Sequence, residues 1–195
     1  MIKVSNLTFG YVKEKNIIHD FSYEFDEGIS YVICGDNGVG KTTLLKLLAG
    51  LLKPNSGVIE GIEGLIIGYV PDYNGLYEYL TLMDNVMFRL GIYNIKFEQV
   101  KDTFEKWVNA YGLRDCINRD IKELSLGTKK KVGLLCAILT TPNLLILDEP
   151  TGGLDITSKD ELISMLKEIS EDTTIITVTH DEHYIRESGS VIIDM

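Results

Sequence analysis

Residues Gly35-Asp36-Asn37-Gly38-Val39-Gly40-Lys41-Thr42, followed by Thr43, satisfy G-x-x-x-x-G-K-[ST] at every fixed position. Upstream, Ile29 to Cys34 is an apolar, β-branched run. Downstream, Lys41 to Leu52 carries leucines at 44, 45, 47, 48, 51 and 52, a helical pattern. Strand, loop and helix in that order constrain the chain to an α/β arrangement whose loop backbone curls around an anion. The glycines let successive N–H groups converge on phosphate oxygens, and the following helix presents its positive N-terminal end to them. A nucleoside triphosphate is the expected ligand, with Lys41 reaching its β and γ phosphates and the Thr42 hydroxyl holding Mg2+.

A chain of 195 residues has the length of one α/β domain, or one domain with a small insertion, and a second domain is not required. Lys and Arg number 19 against 29 Asp and Glu, a net charge of −10 that argues against nucleic acid as a partner, a local basic patch aside. Cys34, Cys116 and Cys136 are odd in number and widely spaced. Thiols in a reducing cytosol are therefore expected, not a disulfide framework or a zinc site. The longest apolar runs, such as Leu134 to Leu139, fall far short of a membrane span, and Met1-Ile2-Lys3 opens a strand pattern, not a secretory leader. The chain is expected to be soluble by itself.

Val4 to Phe9 and Ile17 to Phe25 read as strands joined by a turn at Gly10 and Lys13 to Asn16. Tyr11 at that turn can stack on a flat base or cap a strand end, and its position alone does not decide between the two. Pro54-Asn55-Ser56-Gly57 is a turn, Val58 to Glu60 a short strand and Leu65 to Val70 another, ended by Pro71-Asp72. From Leu76 to Glu123 the pattern becomes helical. Thr81 and Asp84 resemble a capping box, and Phe97, Val100, Phe104, Trp107, Val108 and Tyr111 recur at helical spacing before Gly112. These aromatics are expected in the core of an all-helical insertion. In Leu124-Ser125-Leu126-Gly127-Thr128, Ser125 is placed to cap a helix running to Pro142; with Gly127 it makes either an anion-binding end or an ordinary N-cap. Lys129 to Lys131 reads as a solvated face.

Leu144 to Leu147 describe a strand buried on both faces of a parallel sheet, with Asp148 and Glu149 at its carboxyl end, where ligands collect. With a phosphate loop on the same chain, Asp148 is placed to order the water shell of Mg2+. Glu149 is placed to accept a proton from the water attacking the γ phosphate. Thr173 to Thr179 is a further strand ending at His180-Asp181; His180 either supports the γ phosphate or the water, or is structural. Ser190 to Met195 adds a last short strand.

In this order the motifs resemble the nucleotide-binding subunit of an ATP-binding cassette (ABC) transporter over nearly the whole chain. Residues 35 to 42 resemble Walker A, 144 to 149 the Walker B strand with its glutamate, and LSLGT at 124 to 128 the signature LSGGQ. Gly153-Leu154-Asp155 resembles the D-loop, and Thr179-His180-Asp181 the switch histidine. The resemblance implies a single ABC ATPase domain over residues 1–195. Its P-loop NTPase core has a mixed, mostly parallel sheet, with an N-terminal antiparallel β subdomain and a helical subdomain over about residues 76–141. It implies ATP and Mg2+ as ligands, with Tyr11 stacking on adenine. It also implies a head-to-tail homodimer in which Ser125 and Gly127 of one subunit contact the γ phosphate bound by the other, with Asp155 at the seam. Separate transmembrane permease subunits, met at the cytoplasmic face of the membrane, complete such a transporter.

Two motifs depart from the family pattern. Asp72 stands where a glutamine follows Tyr-Val-Pro; it can ligate Mg2+, or it can be a turn residue with altered coupling to the membrane partner. Leu126 and Thr128 replace a glycine and the glutamine of the signature. The LSLG form followed by lysines is similar to the bacterial exporter branch that includes antibiotic-peptide resistance and immunity pumps. The alternatives are a soluble ABC-type ATPase without a membrane partner, as in cluster assembly, and a cassette that binds ATP but turns it over slowly.

Overall fold

The computed structural model describes residues 1–12, 15–73, 75–170 and 173–195. The chain opens with strands β1 (Ile2–Phe9), β2 (Ile18–Phe25) and β3 (Ser30–Cys34), helix α1 (Lys41–Leu48), and strands β4 (Ser56–Glu60) and β5 (Ile67–Val70). Three helices follow: α2 (Leu82–Ile92), α3 (Phe97–Ala110) and α4 (Leu126–Ile138). The chain then alternates: β6 (Leu144–Asp148), α5 (Ile156–Ile169), β7 (Thr174–Val178), α6 (Glu182–Ser188) and β8 (Val191–Asp194). Of the turn expected at residues 13 to 16, Lys13 and Glu14 lie outside the described residues.

Among the described strands, antiparallel pairing is confined to a three-stranded sheet in which β1 lies between β2 and β4. Inward residues of β1 run Ile2, Val4, then Leu7, Phe9, because the register shifts between Val4 and Leu7, where Asn6 takes a φ of 50°. The other sheet has the order β5-β6-β7-β3-β8 and every pairing in it is parallel. Parallel strands need covering on both faces, and the side chains divide accordingly. Leu145, Leu147, Val32 and Ile175 join one core with the α2–α4 helices and α5. Leu144, Ile146, Ile33 and Ile176 join a second core with α1 and the antiparallel sheet.

The helical insertion follows its sequence closely. Asp84 N–H donates to Thr81 Oγ1 at 3.1 Å and Thr81 N–H donates to Asp84 Oδ2 at 3.2 Å, the reciprocal capping box. Phe104 packs edge-on against Phe97 at 5.3 Å, and Trp107 is buried beside it. Several bounds differ from expectation: α4 ends at Ile138, short of Pro142, and β4 begins at Ser56, inside the expected turn. α1 stops at Leu48 instead of Leu52, because Gly50 turns left-handed (φ 70°) and the N–H groups of Leu51 and Leu52 return to Lys46 O. α5 and α6 have no counterpart among the expected elements; their N-caps, Asp155 and Asp181, both lie within motif positions. Among the described residues, no helix is long and apolar enough to cross a membrane.

Phe104→Ala empties a fully enclosed site between α3 and its neighbours and is expected to cost about 3–5 kcal/mol of stability. Tyr79→Ala, on an exposed residue, should stay within about 0.5 kcal/mol of the parent. Urea unfolding of the two variants checks this.

Candidate functional site

The order β6-β7-β3 sets three carboxyl ends side by side, and each delivers polar groups to the same rim. At the end of β3, Gly35 has a φ of 143°, and a Cβ there would lie 2.5 Å from Met195 O. Gly40 closes the loop at φ 116° as the N-cap of α1, where a Cβ would meet Ile17 and Ile18 at 3.0 Å. Any side chain at either position would open the loop. Lys41 folds back over this loop, its Nζ donating to Gly35 O at 2.7 Å and Asp36 O at 2.9 Å. An ammonium has three donors, so this arrangement stiffens the cradle and leaves a proton for an anion within it.

Thr42 Oγ1 donates to Asp148 Oδ1 at 3.1 Å, joining the start of α1 to the end of β6. Burial pushes the Asp148 carboxyl above its usual value, and the charges of Glu149 and Asp72 push the same way, against the Thr42 hydrogen bond and Lys46. A divalent cation at this point would offset all three. Among the described residues no cluster of three or more His, Cys, Asp or Glu could hold a metal. A hydroxyl beside a single carboxylate instead fits Mg2+, which completes its shell with phosphate oxygens and water.

Glu149 leaves the strand in a left-handed conformation, φ 48°, which costs a residue with a Cβ about 1–2 kcal/mol. It is held at every polar atom. Its N–H donates to Val178 O at 2.8 Å, and its carbonyl accepts from Lys130 Nζ at 2.8 Å. Thr179 Oγ1 donates to Oε2 at 3.0 Å, and His180 Nδ1–H donates to Oε1 at 2.7 Å. The carboxylate can only accept, so it selects the His180 tautomer with the proton on Nδ1.

These groups face a cavity of about 450 Å³ lined by Asn37, Gly38, Gly40, Lys41, Thr42, Thr43, Asp148, Glu149 and His180, with Ile17 and Val178. Gly35, Asp36 and Val39 build its loop without lining it. Tyr11 stands beside the wall, 56% exposed, edge-on to Phe9 at 5.0 Å and with its hydroxyl 3.3 Å from Thr43 Oγ1. Four expected residues are elsewhere. Ser125 Oγ caps α4 by accepting from Thr128 N–H at 3.2 Å, and Gly127 lies where a Cβ would meet Ser158 Oγ at 3.2 Å. Asp155 caps α5, its carboxyl lowered by the Ser158 N–H and hydroxyl. Asp72 carries its Oδ1 to Lys130 at 3.1 Å, away from the cavity lining.

The lysine run at 129 to 131 is not a solvated face. Lys129 pairs with Glu78, Lys130 with Asp72 and Lys131 with Glu161, and Lys130 is only 3% exposed. Acids from two separate segments, the β5–α2 connection and α5, meet this stretch of α4, which charge counting along the chain does not reveal. The helical spacing of Lys130 with Leu134 and Ala137, both buried, carried the signal.

A second feature that the motifs do not reveal is the knot of bonds at Asp181. Its Oδ2 accepts from Thr151 Oγ1 at 2.7 Å and Lys159 Nζ at 2.7 Å, while His183 N–H donates to Oδ1 at 3.0 Å. The loop after β6 is thereby tied to the loop after β7. Burial works to raise the Asp181 carboxyl, but Lys159, Thr151 and the His183 N–H together bring it below its usual value. A lowered carboxyl stabilises the fold above its unfolded-state value, and that contribution is lost as pH falls through the lowered one. Asp181→Asn should therefore cost about 1–3 kcal/mol at neutral pH and flatten the acid limb of stability against pH, as read from urea unfolding across a pH series.

The family model described as ABC transporter matches residues 18–152. An uncharacterised ABC transporter ATP-binding protein of Methanocaldococcus jannaschii is 36% identical over 180 residues, covering 92% of this chain and 68% of its own length. The molybdate/tungstate import ATP-binding protein of the same organism is 34% identical over 203 residues, covering 98% of this chain and 66% of its own. A bacterial ABC transporter cassette solved as a dimer superposes with a TM-score of 0.86 at 25% identity, over 100% of this chain and 94% of its own. The phosphate loop, the paired acids at the end of β6 and these likenesses agree: the chain belongs to the ABC transporter family, as an ATP-binding protein with an ABC ATPase domain.

Proposed function

We propose that this chain binds and hydrolyses ATP as one of two copies in a head-to-tail dimer, and that closing and reopening of the dimer drive separate permease subunits in the membrane. The observation that carries the reading is the meeting of Lys41, the Thr42–Asp148 pair and Glu149 around one cavity. In it, the loop N–H groups and Lys41 bind the β and γ phosphates, and Tyr11 offers its ring to adenine. Thr42 and Asp148 hold Mg2+, which when bound neutralises developing phosphate charge. Glu149 takes a proton from water as its oxygen bonds to the γ phosphorus and the bond to the bridging oxygen breaks, leaving ADP and inorganic phosphate. His180 and Thr179 orient that carboxylate through the bonds already described.

Ser125, Gly127 and Asp155 sit at the N-termini of α4 and α5, outside the chain's own cavity. That separation supports a shared site, where the α4 end of one copy closes over the phosphates of the other, as does the dimeric form of the similar cassette. Asp72 either ligates the metal or serves Lys130. Kinship alone leaves the direction of transport open, since the relatives include an import protein; LSLGT followed by lysines supports export. The chain would then sit on the cytoplasmic face of the membrane, against its permease.

Glu149→Gln should lower hydrolysis by roughly 10²–10⁴-fold while leaving ATP affinity intact, and should trap an ATP-dependent dimer on a sizing column. Undiminished phosphate release would overturn the assignment of the base. Isolation of the tagged chain from membranes should bring with it a polytopic partner; a purely soluble partner would reject the transport reading in favour of a free-standing ATPase.

A further inference from the structure

Lys130 belongs to none of the recognised motifs, yet it touches the backbone of the proposed base. It lies on α4 just past the signature, 3% exposed. An ammonium at that depth is costly unless each proton meets an acceptor and the charge meets a counter-ion. Both conditions hold here. Its Nζ donates to Asp72 O at 2.8 Å, Asp72 Oδ1 at 3.1 Å and Glu149 O at 2.8 Å. Those three bonds use all its protons, so none is left for a phosphate.

The bonds join two segments that matter to the reaction. One is the stretch after β5 that leads into the helical insertion. The other is Glu149, whose left-handed backbone is held at its N–H by Val178 O and at its carbonyl by two donors, Lys130 Nζ at 2.8 Å and the Gly152 N–H at 3.2 Å, of which Lys130 alone carries a charge. Rotation about that residue moves the carboxylate, so a group that fixes the carbonyl also fixes where the base points. The acid at position 72 then has a physical reason. A glutamine there is neutral and offers no counter-charge to a buried lysine, whereas Asp72 supplies one while its own side chain stays 68% exposed.

We propose that Lys130 and Asp72 form an ion-paired positioning unit for Glu149, in which the Lys130 ammonium, balanced by Asp72, holds the Glu149 carbonyl and aims its carboxylate. In this arrangement Asp72 is a counter-ion, not a metal ligand. The inference rests on Glu149 being the base.

The test uses the full chain, with phosphate release followed against ATP and against Mg2+, equilibrium ATP binding, and thermal unfolding of each variant. Asp72→Asn and Lys130→Gln should each lower kcat, the lysine change by roughly tenfold or more, with ATP affinity and half-saturating Mg2+ held within about twofold. The double variant should be no slower than Lys130→Gln alone, because the two act as one unit. The proposal is overturned if the two losses multiply. It is also overturned if Asp72→Asn raises the Mg2+ requirement while Lys130→Gln does not, or if rates fall only in step with the folded fraction. Should Lys130→Gln fail to fold, Asp72→Asn decides, its side chain being largely exposed: a lower kcat at unchanged Mg2+ dependence supports the unit, and an unchanged kcat rejects it. Glu149→Gln run in parallel separates the readings. If it still hydrolyses ATP, the base is misassigned. If it is inactive while the pair variants keep their kcat, only the positioning unit fails.

Discussion

Burial of β6 and β7 on both faces is the constraint from which the site descends. All their residues are enclosed, so neither strand can slip or tilt without exposing a core on one side or the other. With β7 between β6 and β3, the ends of the three strands lie at fixed neighbouring heights. A loop that begins at Gly35 and an acid at position 148 can then share a hydrogen bond through Thr42. The antiparallel sheet and α1 complete one core, the helical insertion and α5 the other, and both serve to keep that sheet dry.

A chain of net charge −10 that gathers acids at one rim must place its cations with care. Lys41 is spent on loop carbonyls, Lys130 on Asp72 and Glu149 O, and Lys159 on Asp181. Each ties a backbone carbonyl or an acid to a different element, so the rim is stiff before any nucleotide arrives. Among the described residues Asp148 has a hydroxyl and no cation bonded to its carboxylate, and burial keeps its charge unfavourable. That is the place where a magnesium ion gains most.

Much of this was legible in the chain. The phosphate loop, the apolar run into Asp148-Glu149, the Thr81–Asp84 box and the aromatic spacing of α3 are local patterns. Each is decided by residues within a few positions of one another: glycine freedom, β-branched runs, caps and helical periodicity. What was not legible was long-range. Lys130 reads as one of three surface lysines until Asp72 and the carbonyl of Glu149 are brought to it from other segments. Asp155 and Asp181 read as motif residues until they are seen to start helices.

By itself, then, the order of residues determined which groups can cradle phosphate, bind a hard cation and take a proton, since those are properties of side chains and short loops. Only the tertiary structure decided which of them act together. It brought Lys41, Asp148, Glu149 and His180 to one cavity and left Ser125, Gly127 and Asp155 outside it. The physical reason is that partner choice depends on strand order and helix packing, and these follow from how two apolar cores close over one sheet, which no local pattern encodes.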